Sequence, residues 1–252
     1  LVGDGALALD ARAPVPAWCT AGDPRRAIRL DHLLRMVDGL DFVEDDRANG
    51  RIDVVDMIGG SGKDDTAAFA ESRAPPHPPG GGFNYSSGTT IILAAIASRA
   101  IGGGRPATEE FLRSRLFAPL GMHSARPRFD AAGTFLGSSY LFATPRDFAR
   151  FGLLYLRDGL WEGRPLLPPG WVDHARAPTD PSGGTYGAHW WLGVGGAGTF
   201  CAKGYRGQYL VVAPAQDLVV VRLGVSSEEQ RANVVDALGE IIASFPTRED
   251  AR

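Results

Sequence analysis

Hydrophobic positions along this chain alternate between helical and strand spacing, and no segment repeats internally. An amphipathic stretch at residues 30–37 predicts a short helix that ends at Gly39, and an apolar run at 88–100 predicts a longer, buried one. The stretch at 44–62 between them is polar and rich in glycine. It predicts an irregular loop over the functional site.

Two further helices are predicted from capping residues. Thr108 is the expected N-cap of one, with two carboxylates in its first turn, and Pro119 is expected to end it. Thr144 is the expected N-cap of the other, followed by a first-turn proline and by Asp147. Hydrophobic residues then recur at helical spacing, and Gly159 lies beyond the predicted end.

The last third of the chain is predicted to form strands. Residues 208–213 and 218–223 are β-branched runs separated by 214–217, which indicates a hairpin, and residues 186–194 are a third candidate strand. A terminal helix should cover the sheet with one apolar face. The residues predicted for that face are Val234, Leu238, Ile241, Ile242 and Phe245.

Together these elements predict an α+β fold, an antiparallel sheet flanked by helices with a helical subdomain. We expect a single domain over residues 1–252, with a mostly helical or loop insertion at 39–170 and the sheet and terminal helix at 186–245.

Composition excludes several function classes. Of the 252 residues 44% are hydrophobic and 22% charged, and the formal net charge is -3, so nucleic acid is not an expected partner. The longest apolar run, 91–97, is far shorter than the roughly 20 residues of a membrane span. Cys19 and Cys201 lie far apart and the five histidines form no His-x-x-x-His pair, so no metal and no cofactor is predicted.

The segment with the most chemistry is Tyr85-Ser86-Ser87, between the turn residues 78–82 and the apolar run at 88–100. A helix start favours an anionic tyrosine or a developing oxyanion, because its dipole is positive there and its first N–H groups lack helical partners. Tyr85 is therefore a candidate general base. The alternative is a buried core tyrosine beside two helix-capping serines.

Four segments together resemble the serine β-lactamase-like superfamily. They are 85–90, 144–152, 186–191 and 204–208, and they occur in the order of that family over nearly the whole chain. The resemblance is closest to the class C β-lactamase and penicillin-binding protein-like branch, which includes carboxylesterases, D-amino-acid peptidases and 6-aminohexanoate-dimer hydrolases. It implies a β-lactamase-like fold.

The resemblance implies a Ser-x-x-Lys nucleophile that these residues do not contain. No serine is followed three residues later by lysine, and Ser61-Gly62-Lys63 has the wrong spacing. Residues 1–7 resemble the stretch that follows the nucleophile in relatives. We therefore expect an N-terminally truncated chain that begins one or two helical turns after the nucleophile, with the N-terminal helix and edge strands of the fold upstream of Leu1.

By the same resemblance, Tyr85 and an upstream lysine form the general base, and Ser87 takes part in its hydrogen-bond network. The N–H of Tyr205 would contribute to the oxyanion hole. Gly204 and Gly207 would let the backbone approach the substrate, or would simply form a bulge or bend. Trp190 is expected to wall the acyl pocket, unless it is a core residue like most paired tryptophans.

A third family element, Lys/His-x-Gly, is altered here: Ala202 stands at the cationic position and Lys203 follows it. This favours neutral substrates over β-lactams, so the predicted function is a serine acyl hydrolase for a small-molecule ester or amide, acting through an acyl-enzyme. The alternative is a non-catalytic truncated or degenerate relative that retains a ligand- or partner-binding pocket. The sequence predicts neither compartment nor oligomeric state.

Overall fold

A computed structural model describes residues 1–45 and 50–248. The chain forms two compact units. The first contains Leu1–Ser114 and Arg126–Phe142, and the second contains Arg115–Ala125 and the chain from Ala143 onward. Helices together with an antiparallel sheet confirm the α+β class.

The first unit is helical. Its α-helices are α1 (Leu30–Leu34), α2 (Asp53–Gly59), α3 (Thr66–Glu71), α4 (Ser87–Ile101) and α5 (Gly104–Leu112), with short 3-10 helices at Pro16–Trp18 and Pro24–Ala27. The apolar face of α4 lies at the centre of the core, where Ile91 and Ile92 are fully buried. These two side chains pack in one cluster with Trp18, Leu33 and Met57. The predicted helix at 88–100 is therefore confirmed. A short helix also forms within 30–37, but its predicted end at Gly39 was wrong, because α1 ends at Leu34 and Met36 has a left-handed φ of 59°.

Two further predictions in this unit were wrong. Residues 44–62 are not wholly irregular, because α2 forms around the buried Met57; residues 46–49 of that stretch lie outside the described residues. Thr108 is not an N-cap. Helix α5 begins at Gly104 after Gly103 (φ 93°), and the Thr108 hydroxyl donates to Gly104 O one turn earlier.

The helical backbone also continues past the predicted stop at Pro119. A π-helical turn, Arg113–Phe117, leads into α6 (Ala118–Leu120), which ends at Gly121 with φ 67°. Pro119 lies in the first turn of α6, directly after the π-helical turn.

The second unit contains a four-stranded antiparallel sheet in the order β3-β4-β5-β6. Its strands are β3 (Trp191–Leu192), β4 (Phe200–Gly204), β5 (Gln208–Ala213) and β6 (Leu218–Arg222); β1 (Leu160–Trp161) and β2 (Arg164–Pro165) form a separate hairpin. Three further helices are α7 (Pro145–Leu156), α8 (Trp171–Arg176) and α9 (Glu228–Ala243).

Both faces of the sheet are covered, so β5 is buried on both sides. On one face Phe200, Leu210 and Val212 pack in a cluster with Phe151 and Tyr155 of α7. On the other face Cys201, Tyr209 and Val211 pack in a cluster with Leu238 and Ile242 of α9. The predicted hairpin, the capped helix at Thr144 and the terminal helix are confirmed.

The extent of two predicted features was wrong. Within 186–194 only β3 is a strand, and one isolated β-bridge pairs Tyr186 with Trp191. The left-handed φ of 61° at His189 interrupts the extended backbone between these two residues. Ile241 and Phe245 are each 46% exposed. Ile241 lies one residue, about 100° around the helix, from the buried Ile242, and Phe245 follows the end of α9.

No helix within the described ranges is long and apolar enough to span a membrane.

Candidate functional site

The predicted site residues are divided between the two units. Tyr85 and Ser87 belong to the first unit, and Gly204, Tyr205, Gly207 and Trp190 belong to the second.

Tyr85 lies in extended chain directly before α4, and its side chain is half-buried. The residue before it is fixed from two directions. Asn84 N–H donates to Met36 O at 2.9 Å, and its Nδ2 donates to Phe42 O at 3.0 Å. After it, Ser86 is the N-cap of α4. Tyr85 therefore occupies a defined position between a tethered asparagine and a capped helix.

The first N–H groups of α4 are already bonded. Ser86 Oγ accepts from Thr89 N at 3.0 Å, and Glu44 Oε2 accepts from Ser87 N at 2.8 Å. Ser87 Oγ also donates to Glu44 Oε1 at 2.6 Å. The acceptor for both Ser87 donors is thus a protein carboxylate, and a negative charge there suits the positive end of the helix dipole.

Burial raises the pKa of the Glu44 carboxyl, and the hydrogen bonds from Ser87 only partly oppose this rise. The charge of Asp45 raises it further. A carboxyl held in this way is more readily protonated than an exposed glutamate.

A second carboxylate, Asp38, lies beside the same helix turn. It is 3% exposed and accepts from Thr89 Oγ1 at 2.7 Å and from Leu40 N at 2.8 Å. Burial raises the pKa of this carboxyl more than these hydrogen bonds lower it. Sequence reasoning missed both Asp38 and Glu44, because their partners lie 51 and 43 residues away along the chain.

In the second unit, Gly204, Tyr205 and Gly207 form the turn between β4 and β5. Gly204 pairs with Gln208, and the turn reverses through Arg206 (φ 59°) and Gly207 (φ 93°). A Cβ at Gly204 would lie 2.8 Å from Gln208 Cβ. Both glycines are therefore required by the turn itself, apart from any substrate.

Side-chain hydrogen bonds tie this turn to the end of β6. Arg222 Nη1 donates to Gly207 O, and Nη2 donates to Ser226 Oγ at 2.7 Å. Gln208 Nε2 donates to Tyr205 O at 3.3 Å. The Tyr205 side chain itself is 81% exposed. The backbone that carries the Tyr205 N–H is thus held from both flanks.

The altered Lys/His-x-Gly element lies on a regular strand. The register from Phe200 to Gly204 against β5 has no bulge, so Ala202 points to the same face as Phe200 and Lys203 to the opposite face. Lys203 Nζ lies 4.4 Å from the ring centroid of Trp191, a cation–π contact on that opposite face.

Trp190 is packed among aromatic rings and is 4% exposed. Its ring centroid lies 4.6 Å from that of Tyr155 and 5.0 Å from that of Phe200. This packing agrees with the alternative of a core tryptophan and leaves little indole surface for a ligand. Within residues 1–45 and 50–248 no group of three or more His, Cys, Asp or Glu side chains is arranged to hold a metal ion.

The beta-lactamase family model matches residues 1–239, which is nearly the whole chain. The chain belongs to the beta-lactamase family. This confirms the resemblance inferred from the four sequence segments.

Among curated relatives of this beta-lactamase family member, the 6-aminohexanoate-dimer hydrolase of Paenarthrobacter ureafaciens is 30% identical over 156 residues. The alignment covers 57% of the chain but only 39% of that enzyme. A Bacillus anthracis protein provisionally named 6-aminohexanoate-dimer hydrolase has a similar structure, with TM-score 0.79, 21% identity, and 98% of this chain and 70% of that one covered.

A family VIII carboxylesterase also has a similar structure, with TM-score 0.68 and 13% identity; the match covers 96% of this chain and 78% of the esterase. At these identities the two solved structures establish the fold alone.

Proposed function

We propose that the protein is a serine acyl hydrolase, an esterase or amidase, that works through an acyl-enzyme. The observation that carries the proposal is the placement of Tyr85: half-buried, between the tethered Asn84 and the capped start of α4, in the Tyr-x-Ser segment of a beta-lactamase family chain. Relatives named as a 6-aminohexanoate-dimer hydrolase and a carboxylesterase support amide and ester substrates.

In the proposed reaction a serine from polypeptide preceding Leu1 attacks the substrate carbonyl. Tyr85, assisted by a lysine three residues after that serine, takes the serine proton and later delivers it to the leaving group. The serine's own N–H stabilises the oxyanion, the family resemblance implies the N–H of Tyr205 as a further donor, and water then hydrolyses the acyl-enzyme.

Ser87 has a narrower proposed role than its residue type alone would give it. Its hydroxyl donates its proton to Glu44, so in the hydrogen-bond network of the general base the Ser87 oxygen can only accept. Ser87 Oγ is therefore proposed as an acceptor for the lysine ammonium or for a substrate N–H.

The substrate is proposed to be neutral near the scissile bond. Ala202 brings no charge to the face of β4 that it shares with Phe200, and the Lys203 ammonium lies over Trp191 on the other face. A substrate carboxylate would gain no charge-assisted hydrogen bond from either residue.

Burst kinetics test the proposal against a non-catalytic relative. We expect the complete gene product, meaning the polypeptide with whatever precedes Leu1, to release p-nitrophenol from p-nitrophenyl butyrate in a stoichiometric burst followed by a slower steady state. Residues 1–252 alone should give no burst, because they contain no Ser-x-x-Lys segment. An inert complete gene product would support the non-catalytic alternative, and a burst from residues 1–252 would refute the proposed origin of the nucleophile.

A further inference from the structure

The segment that contains Asp38 and Glu44 bonds to the chain on both sides of Tyr85. Before Tyr85, the N–H of Asn84 donates to Met36 O at 2.9 Å. After it, Ser87 donates from both N and Oγ to the Glu44 carboxylate, at 2.8 and 2.6 Å. All these contacts lie within the first unit.

The loop also packs closely against the start of α4. A Cβ at Gly88 would lie 2.6 Å from the Phe42 ring, so the first turn of α4 rests directly on that ring. The next residue, Thr89, donates a hydrogen bond from its hydroxyl to the buried Asp38. Asp38 and Glu44 thus bind the first turn of α4 at Thr89 and Ser87, the residues on either side of Gly88.

We propose that Glu44 is a positioning residue for Tyr85: its carboxylate joins the loop to Ser87 and thereby fixes the backbone from which the phenol projects. The inference rests on the proposed function, in which Tyr85 moves the proton. Proton transfer requires hydrogen-bond distance, and an error of about 1 Å in such a group can cost on the order of 100-fold in rate. Glu44 itself needs no contact with substrate.

Two substitutions of Glu44 distinguish the loss of its hydrogen bonds from the loss of its charge. In Glu44→Gln the amide oxygen can accept from Ser87 N–H while its NH2 donates to Ser87 Oγ, so both contacts persist with the hydroxyl reversed. In Glu44→Ala both contacts are lost. Glu110→Ala is the matched control, because Glu110 is an exposed residue of the same unit that pairs with Arg113 at 2.6 Å.

The direct readout is 19F NMR of protein in which 3-fluorotyrosine replaces the six tyrosines, with the Tyr85 resonance assigned by its loss in Tyr85→Phe. We expect one narrow Tyr85 resonance in the parent protein, the same resonance in Glu44→Gln and Glu110→Ala, and a shifted or split resonance in Glu44→Ala. In the complete gene product, kcat should fall about 10- to 100-fold in Glu44→Ala with KM little changed.

An unchanged Tyr85 resonance in folded Glu44→Ala would overturn the inference, as would an equal perturbation in Glu110→Ala. If Glu44→Ala does not fold by circular dichroism, Glu44→Asp replaces it, because the side chain shortened by one methylene cannot reach both Ser87 donors. The NMR result is independent of catalysis. An inactive parent protein would therefore count against the proposed function while the resonance still decides the role of Glu44.

Discussion

Replacing Tyr85 with phenylalanine should lower the acylation rate of the complete gene product by about 10²- to 10⁴-fold, the range expected for a lost general base. The change removes only the phenol oxygen. The hydrogen bonds of Asn84 and Ser87 that hold this segment remain, so the fold should be retained. Single-turnover release of p-nitrophenol and the circular dichroism melt measure the two quantities.

Tyr140→Phe is the matched control for this experiment. Tyr140 lies in the same unit as Tyr85, is 43% exposed, and has no role in the proposed reaction, so its loss of a hydroxyl should leave acylation unchanged. A different result would favour the core-tyrosine alternative: a strongly shifted melt in Tyr85→Phe with undiminished activity per folded molecule.

Neutral esters should be better substrates than β-lactams, by about 10- to 100-fold in kcat/KM for p-nitrophenyl butyrate over nitrocefin. The reason is the missing cation at Ala202, since a charge-assisted hydrogen bond to a substrate carboxylate contributes about 1.5–3 kcal/mol. Lys203 does not replace it, because its ammonium contacts the Trp191 ring on the opposite face of the strand. The two efficiencies are compared on the complete gene product.

Two variants sharpen the comparison. Ala202→Lys should narrow the preference for the ester by about tenfold, and Lys203→Met should leave the ratio unchanged because that residue faces Trp191. Equal or greater efficiency on nitrocefin in the parent protein would mean that a cation reaches the substrate from another residue, and the proposed substrate class would be wrong.

The sequence predicted helices and hairpins correctly where capping residues and hydrophobic spacing lie within the segment itself. The helix α7 has its cap, first-turn proline and acidic residue within four positions of Thr144, and its hydrophobic spacing continues from there. The β5–β6 hairpin follows from two β-branched runs around Pro214. Family motifs indicated Tyr85 and the β4–β5 turn as candidates, but such motifs carry no information on which residues surround them.

The contacts around Tyr85 were not predictable in the same way. Glu44 was assigned only to a polar loop and Asp38 to no site, and each carboxylate accepts a hydrogen bond from a residue of α4 more than 40 residues away. The predicted helix start at Thr108 was also wrong. The left-handed turn at Gly103 starts α5 one turn earlier, at Gly104, so Thr108 lies inside the helix.

Labelling with a fluorophosphonate probe, followed by peptide mapping of the complete gene product, tests the central claim most directly. The probe forms a covalent bond with an activated serine, so it identifies the nucleophile without assuming a substrate. We predict stoichiometric labelling of the serine in a Ser-x-x-Lys sequence that precedes Leu1, and no labelling within residues 1–252. A label on any serine of residues 1–252, or no label at all, would contradict the account.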